Sequence, residues 1–299
     1  MNKKYFDNNI TPHKDETVLI TGGNSGIGFA FIQHLLKREY QVIFTSRNKE
    51  KGDKAIKELK EEFPSSNIKY MLLDLSSFES INKFVKEITK KKIDIHHFYH
   101  NAGIFRVPFS KDEEGFEINT KTNYFGPYVL NESLIPYFHS LPHEVHVNFV
   151  FSLTTYYYQL NVKELNPKEQ YEKMETYARS KIMIVHYYYF LIVKYANSNI
   201  KFTLSHPGAT YTPLIDKGYK INWFKKLATI FMKITFHKPE KASYTYLLAL
   251  ENKDPYLYIA PRGFLELSGY PKYKKLRHSQ YKDYLLTIKN TQDLLKNHL

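Results

Sequence analysis

Residues 17–36 read TVLITGGNSGIGFAFIQHLL. The run from Thr17 to Ile20 is short and apolar, as in a buried strand, and apolar residues after Gly28 recur at helical spacing. Glycines at 22, 26 and 28 lack the β-carbons that would hold a pyrophosphate away from the backbone. The N–H groups that open the following helix add the positive end of its dipole. The segment therefore predicts a strand, a glycine turn and a helix that bind a dinucleotide.

The glycine spacing separates several classes of nucleotide site. A tight connection without a ligand is the alternative, but the flanking strand and helix favour the dinucleotide interpretation. A P-loop would carry a lysine after its last glycine, and this turn has Phe29 there, so ATP binding is not expected. The spacing T-G-x-x-x-G-x-G resembles the glycine motif of the short-chain dehydrogenase/reductase family.

Length and composition favour one α/β domain over residues 1–299, because 42% hydrophobic residues can form one large core. The absence of cysteine excludes disulfides and cysteine-ligated zinc. The N-terminal extension, residues 1–16, has no apolar segment, so we expect neither a signal peptide nor a membrane anchor there. No apolar run reaches the ~18 residues of a spanning helix. We expect a cytoplasmic protein that at most rests on a membrane surface.

The net charge of +13 has three explanations: nucleic acid, an anionic membrane surface, or a lysine-rich composition. Lysine far outnumbers arginine, whereas surfaces that read bases favour arginine. Because no nucleic-acid-binding motif accompanies the charge, we expect no nucleic-acid partner.

An arginine follows the second predicted strand, Gln41 to Ser46. In dinucleotide folds an acidic residue at this strand end binds the ribose of NAD, whereas an arginine accommodates the extra phosphate of NADP. No Asp or Glu occurs between Gln41 and Lys49. Arg47 therefore favours NADP(H) over NAD(H), with a plain surface arginine as the alternative.

Two further strand ends carry residues of the family pattern. The third strand, Ile68 to Leu73, is followed by Asp74-Leu75, and the fourth, roughly Ile93 to Tyr99, by His100-Asn101-Ala102-Gly103. The resemblance implies that Asn101-Ala102-Gly103 lines the cofactor site and that Asp74 binds the adenine amino group. A helix N-cap is the alternative role for Asp74, with the two serines that follow as competitors.

Three histidines, His96, His97 and His100, lie close together in sequence. His96 and His97 are adjacent on a predicted strand and therefore point to opposite faces. We expect no metal site.

A serine, a tyrosine and a lysine form the candidate catalytic group. Ser152 ends the fifth predicted strand, at the edge where doubly wound sheets bind ligands. Tyr177 and Lys181 are four residues apart and share one helical face. A lysine near a phenol favours the phenolate and lowers its pKa from ~10. The same spacing recurs at Tyr270 to Lys274, but only Tyr177 follows a strand-end serine and precedes an apolar helix.

The ordered motifs resemble the short-chain dehydrogenase/reductase family from about Thr17 to Leu267, and most of all its retinol-dehydrogenase-like subgroup, which includes WW-domain oxidoreductases and protochlorophyllide reductases. The resemblance implies a doubly wound Rossmann-type α/β fold, with a parallel sheet of about seven strands in the order 3-2-1-4-5-6-7 and helices on both faces. It implies hydride transfer between a nicotinamide and the carbonyl or alcohol of a small to medium hydrophobic substrate. Tyr177 would donate the proton, Lys181 would lower its pKa and bind the ribose, and Ser152 would hold the substrate oxygen. The family has a second serine where this chain has Phe151.

Two more family elements complete the predicted site. Asn123 and Gly126 lie in a predicted helix from Gly115 to Leu134, and the resemblance implies that Asn123 holds a water which relays protons to Lys181. A solvent-facing Asn123 is the alternative. His206 to Thr212, after the sixth strand, is similar to the element that covers the nicotinamide. The resemblance thus assigns the cofactor to Gly22, Asn24, Ser25, Gly26, Ile27, Gly28, Arg47, Asp74, Leu75, Asn101, Ala102, Gly103, Tyr177, Lys181, Pro207, Gly208, Thr210 and Thr212.

The remainder of the chain leaves alternatives open. Residues 213–238 correspond to the substrate lid, and lysines alternate with apolar residues over 219–234 in a basic amphipathic helix. That helix either closes over a hydrophobic substrate or rests on anionic lipid. Residues 268–299 read as a basic tail with a terminal helix. By analogy the helix after Tyr177 pairs in a homodimer. A non-catalytic cofactor sensor is the last alternative, and the retained serine, tyrosine and lysine argue against it.

Overall fold

The computed structural model describes residues 2–8, 11–167, 172–210, 238–277 and 281–299. Their strands join one sheet. The strands are β1 (Thr17–Ile20), β2 (Gln41–Ser46), β3 (Ile68–Leu72), β4 (His97–His100), β5 (Val145–Val150), β6 (Ile200–Ser205), β7 (Leu257–Pro261) and β8 (Pro271–Lys275).

The sheet has the order β3-β2-β1-β4-β5-β6-β7-β8, and every neighbouring pair is parallel except β7 with β8. The predicted order of the first seven strands is confirmed. The predicted number was one too low, because β8 arises within the segment expected to be a tail. Pro271 pairs with Pro261 after the chain reverses at Gly263 and Gly269, and Gly269 has a φ of +116°, a conformation that favours glycine.

Helices cover both faces of this sheet. Side chains alternate along β1, so Leu19 packs in one apolar cluster while Val18 and Ile20 pack in the other. Full burial of such side chains contributes about 1.5–3 kcal/mol each. The helices are α1 (Lys3–Asn8), α2 (Gly26–Leu36), α3 (Lys49–Glu62), α4 (Phe78–Lys90), α5 (Ile118–Thr120), a π-helical turn (Lys121–Phe125), α6 (Gly126–His139), α7 (Lys173–Lys194), α8 (Pro239–Leu250) and α9 (Tyr284–Leu295).

The N-terminal extension packs against the domain. Phe6 is buried and stacks on Tyr244 of α8, with 4.6 Å between ring centroids. The Arg38 guanidinium donates to the carbonyl oxygens of His34, at 3.0 Å, and of Phe6. These contacts place α1 in the same core as α2 and α8.

The strand order reverses between β1 and β4, because β2 and β3 lie on one side of β1 whereas β4 to β8 lie on the other. In open α/β sheets ligands bind beyond the carboxyl ends of the strands at such a point. Within the described ranges no helix is both long and apolar enough to span a bilayer. The predicted basic helix, residues 219–234, and nearly all of the predicted lid lie outside the described residues.

Candidate active site

The glycine turn packs tightly against the Asn101-Ala102-Gly103 segment after β4. Gly22 has a φ of +69°, and a β-carbon there would lie 2.9 Å from the β-carbon of Ala102. A β-carbon on Gly28 would lie 2.6 Å from Asn101 Nδ2. A residue with a β-carbon would therefore not fit at either position. The close approach brings the glycine turn and the Asn101-Ala102-Gly103 segment together where the strand order of the sheet reverses.

Asn101 ties the two segments together with its side-chain amide. Its Nδ2 donates to the carbonyl oxygens of Thr21, at 2.9 Å, and Gly22, at 3.1 Å. Its Oδ1 accepts a hydrogen bond from the hydroxyl of Tyr246 on α8, at 3.0 Å. Tyr246 is fully buried, so this bond fixes which way the amide faces. The sequence gives no motif for Tyr246, since its role depends on a contact between distant segments.

A cavity of about 660 Å³ opens beside these segments at the start of α2. Ser25 is the N-cap of α2, and its side chain makes no capping hydrogen bond. The first turn has no acidic residue, so its N–H groups present positive partial charge to an anion. Twelve of the predicted cofactor residues line this cavity: Gly22, Asn24, Ser25, Gly26, Ile27, Gly28, Arg47, Asp74, Leu75, Asn101, Ala102 and Gly103.

The far end of the cavity is basic. Arg47, Lys51 and Lys54 line it, with Glu58 as the acid nearby. On the same helix Lys49 pairs with Asp53 at 2.8 Å, whereas among the described residues Lys51 and Lys54 have no ion-pair partner. Sequence reasoning missed these two lysines, although their spacing of three places them on one face of α3 directly after Arg47.

Asp74 lines the cavity and does not cap the following helix. Its Oδ1 accepts hydrogen bonds from the amide and hydroxyl of Ser76, at 2.9 and 2.6 Å. Ser77 is the N-cap of α4 and accepts from the amide of Ser80. The capping alternative for Asp74 is thus excluded, and its contact with an adenine stays a prediction.

The candidate catalytic side chains meet at the carboxyl end of β5. Ser152 lies near the hydroxyl of Tyr177, whose ring packs edge-on against Phe105 at 4.7 Å. Lys181 is only 6% exposed, and its Nζ donates to the carbonyl oxygen of Val150 at 3.0 Å. Its Nζ lies 5.9 Å from the centre of the Tyr177 ring. The structure therefore brings the three predicted residues together.

The ionisation of this group differs from the prediction. Burial raises the pKa of Tyr177 to about 12, against a smaller lowering by the hydrogen bond with Ser152. Burial lowers the pKa of Lys181 to about 8. The expected lowering of the tyrosine pKa by Lys181 is absent, because desolvation dominates while the lysine ammonium is directed at Val150.

Asn123 lies in the π-helical turn and is buried, which excludes the solvent-facing alternative. Its Oδ1 accepts from the amide of Ile104, and its Nδ2 donates to the Ile104 carbonyl oxygen, both at 2.8 Å. Nδ2 also donates to Asn119 Oδ1 at 2.7 Å and Ser180 Oγ at 3.3 Å. The side chain thus holds the wall beside Gly103, while its predicted water relay stays a prediction. The expected continuous helix begins later, at Ile118, and contains this π-turn.

The segment after β6 borders the site on its other side. Gly208 has a φ of +83°, and the amide of Ala209 donates to the Leu267 carbonyl oxygen at 3.0 Å. Thr210 is buried. Pro207, Gly208 and Thr210 do not line the described cavity, so their contact with a nicotinamide stays a prediction. Thr212 lies outside the described residues.

His96 and His97 lie at the amino end of β4, away from the candidate active site, whereas His100 is the last residue of β4. Within the described ranges one group, Asp94, His96 and His143, has its potential ligand atoms within 4.8 Å of one another. The amide of Thr17 donates to His96 Nδ1 at 3.3 Å, so a neutral His96 carries its proton on Nε2. His143 Nε2 lies 2.6 Å from Asp94 Oδ1. The His143 ring stacks on the His96 ring, with 3.9 Å between the ring centroids. His143 is thus paired with Asp94 and stacked on His96. That His96, His97 and His100 bind no metal stays a prediction.

Similar proteins support this interpretation of the site. The model of the short chain dehydrogenase family matches residues 16–220. Polyprenol dehydrogenase of Homo sapiens is 30% identical over 245 residues, which are 80% of this chain and 73% of that protein. Retinol dehydrogenase 14 of Mus musculus is 30% identical over 210 residues, 67% of this chain and 62% of that protein.

Solved structures give the same fold. A protein from Mycobacterium Paratuberculosis has a TM-score of 0.75 at 22% identity, over 97% of this chain and 96% of its own. A short-chain dehydrogenase from Sphingobium yanoikuyae in complex with NADPH has a TM-score of 0.61 at 18% identity, over 79% of this chain and 84% of its own. The chain therefore belongs to the short chain dehydrogenase family of oxidoreductases, which act on CH–OH and C=O groups, and to its retinol-dehydrogenase-like group.

Proposed function

We propose that this oxidoreductase uses NADP(H) and reduces the carbonyl group of a small to medium hydrophobic substrate, or oxidises the corresponding alcohol. The observation that carries the proposal is the convergence of Ser152, Tyr177 and buried Lys181 next to the cavity at the start of α2. The bound nicotinamide would supply or accept the hydride.

The preference for NADP(H) is argued from charge. Arg47, Lys51 and Lys54 bring three cations to one end of the cavity, at the strand end where the fold places the adenosine ribose. Two acids, Glu58 and Asp74, line the same cavity, so the cations outnumber them. A 2′-phosphate would be attracted there, and a ribose hydroxyl alone would gain much less. The NADPH complex of the Sphingobium yanoikuyae enzyme is consistent with this choice.

Proton transfer is assigned to Tyr177. With a pKa of about 12 its hydroxyl keeps its proton at neutral pH, which suits donation to the alkoxide that forms during reduction. The Ser152 hydroxyl would donate a hydrogen bond to the same oxygen as its charge develops. Lys181, with a pKa of about 8, is still charged at neutral pH and would stabilise the phenolate left behind.

A hydrophobic substrate is proposed on two grounds. Phe105 packs against the Tyr177 ring and so gives the reacting hydroxyl an apolar neighbour. Two relatives are named for apolar alcohols, polyprenol and retinol.

The decisive test is Tyr177→Phe, with Tyr270→Phe as the control, because Tyr270 heads the second Y-x-x-x-K match in the chain. We expect Tyr177→Phe to fold and bind NADPH while reduction of a hydrophobic aldehyde slows by about 10²–10⁴-fold, the usual contribution of a positioned acid. Tyr270→Phe should retain activity. Normal turnover by Tyr177→Phe would disprove the assignment.

A further inference from the structure

The loop between β7 and β8, residues 262–270, exposes large apolar side chains. Phe264 is 82% exposed, more than any other large apolar side chain in the described part of the chain. Leu265 is 52% exposed and Leu267 36%. Exposed apolar surface is unfavourable in water, and a contiguous group of such side chains marks a contact surface.

The backbone of this loop is held in an unfavourable conformation. Leu265 and Glu266 have φ values of +47° and +59°, in the left-handed region that side chains with a β-carbon avoid. Glu266 points inward, where its Oε1 accepts hydrogen bonds from the Tyr258 hydroxyl, at 2.8 Å, and from Lys274 Nζ. Because Glu266 is buried, the neighbouring apolar side chains Leu265 and Leu267 are exposed. Backbone strain of this kind costs free energy and is retained where it serves a function.

The loop lies at the same edge of the sheet as the candidate active site. β7 runs parallel to β6, so its carboxyl end lies beside the segment that leaves β6. Leu267 accepts the hydrogen bond from the amide of Ala209, next to Gly208. The exposed side chains thus lie beside the segment that follows β6, at the carboxyl edge of the sheet.

Two cations flank these apolar side chains, Arg262 before them and Lys272 after them. The one acid of the loop is the buried Glu266, which is paired with Lys274. Arg262 and Lys272 are exposed, and neither has an ion-pair partner among the described residues. Apolar side chains flanked by unpaired cations are suited to binding the surface of an anionic bilayer. The apolar side chains would insert at the acyl boundary, and the cations would contact the anionic headgroups.

We propose that the β7–β8 loop inserts Phe264 and Leu265 into the surface of an anionic lipid membrane and so holds the carboxyl edge of the sheet against it. The contact is independent of the basic helix predicted at 219–234. It would let an apolar substrate pass from the bilayer to Tyr177 without crossing water.

Co-sedimentation with vesicles tests the proposal without any assay of activity. The full chain should bind vesicles of phosphatidylcholine with phosphatidylserine and bind phosphatidylcholine alone weakly. Phe264→Glu should weaken binding roughly tenfold, since it replaces apolar insertion by charge repulsion. The double variant Arg262→Gln with Lys272→Gln should weaken it only on vesicles that contain phosphatidylserine. Leu285→Glu is the control, because Leu285 is 63% exposed on the distant α9.

Circular dichroism and NADPH titration confirm that each variant is folded and retains its cofactor site. Equal vesicle binding by the wild type and Phe264→Glu would overturn the proposal, as would failure of the wild type to bind. Loss of self-association in Phe264→Glu, with vesicle binding unchanged, would assign the loop to a protein partner instead. Lack of NADPH binding by the wild type would refute the proposed cofactor and leave the vesicle result standing.

Discussion

Lys181 and Lys121 are both buried lysines, but their surroundings differ. Lys121 forms ion pairs with Asp112 and with Glu114, the latter at 2.6 Å, and lies over the ring of Phe78. Lys181 donates to a neutral carbonyl oxygen and has its pKa lowered to about 8 from an ordinary 10.5. Attraction to a partner offsets the desolvation of a buried cation, whereas an unpaired buried cation carries the full desolvation cost and lowers the stability of the fold.

This contrast predicts the pH dependence of Lys181→Met. Between pH 8 and 10.5 the unfolded chain binds more protons at residue 181 than the folded chain, so wild-type stability rises with pH across that window. Lys181→Met should therefore raise the free energy of unfolding at neutral pH, by up to about 3 kcal/mol since one pKa unit is ~1.4 kcal/mol. The gain should shrink as the pH rises above 8. Urea unfolding at several pH values measures it.

Lys121→Met serves as the comparison and should destabilise at neutral pH, because it leaves partly buried Asp112 without its cation. A gain for Lys181→Met that does not change with pH would mean that its charge is not the cause.

Tyr246 offers a second residue-level prediction. Its hydroxyl holds the Asn101 amide that binds the glycine turn, so Tyr246→Phe should weaken NADPH binding by about 3–10-fold, the value of one hydrogen bond. Turnover at saturating cofactor should change little. Tyr188→Phe is the control, since its hydroxyl bonds to Pro255 O and to no part of the glycine turn. Fluorescence titration measures the NADPH affinity of the two variants. Equal affinities would mean that Tyr246 contributes through packing alone.

At the scale of an element, α3 contributes to the cofactor cavity through one face. Replacing Lys51 and Lys54 with alanine should lower NADPH affinity at least tenfold and leave NADH affinity nearly unchanged, because both side chains line the basic end of the cavity. The effect should decline at high salt. The same replacement of Lys57 and Lys60, which bond to Glu61 and Ser66 of the chain, is the control. An equal loss for NADH would contradict a role in phosphate recognition.

The elements also show what sequence could predict. Apolar runs and the residues at their ends predicted the strands β1 to β6 and most of the cavity, because those signals are local, whereas the strand order followed from the family resemblance. The antiparallel β8, the π-turn at Asn123 and the contact from Tyr246 depend on pairing between distant segments, which no local pattern encodes. The pKa of Tyr177 was misjudged for a related reason: spacing gives proximity to a lysine but not the depth of burial.

At the scale of the whole molecule, α9 covers α7. Its residues Ile288 and Leu295 are buried, and Thr287 Oγ1 lies 2.8 Å from His186 Nδ1 on α7. Tyr189 of α7 stacks on Tyr281 at 3.8 Å just before α9. The chain's own C-terminal helix thus occupies surface that the predicted homodimer would need.

We therefore expect a monomer. Light scattering should give the mass of one chain, 35.5 kDa. Ile288→Asp should detach α9, expose the tyrosines of α7 and cause self-association, whereas Leu286→Asp, at a half-exposed position of the same helix, should leave the mass unchanged. A stable wild-type dimer would show that pairing uses a surface that α9 leaves free.

The bonds from Asn123 to both backbone groups of Ile104 have a thermodynamic consequence. Because both bonds come from within the chain, we expect this wall beside Lys181 to have little conformational entropy left to lose on binding. Calorimetry of NADPH binding should then show a smaller entropic penalty in the wild type than in Asn123→Ala, where the same wall would first have to become ordered.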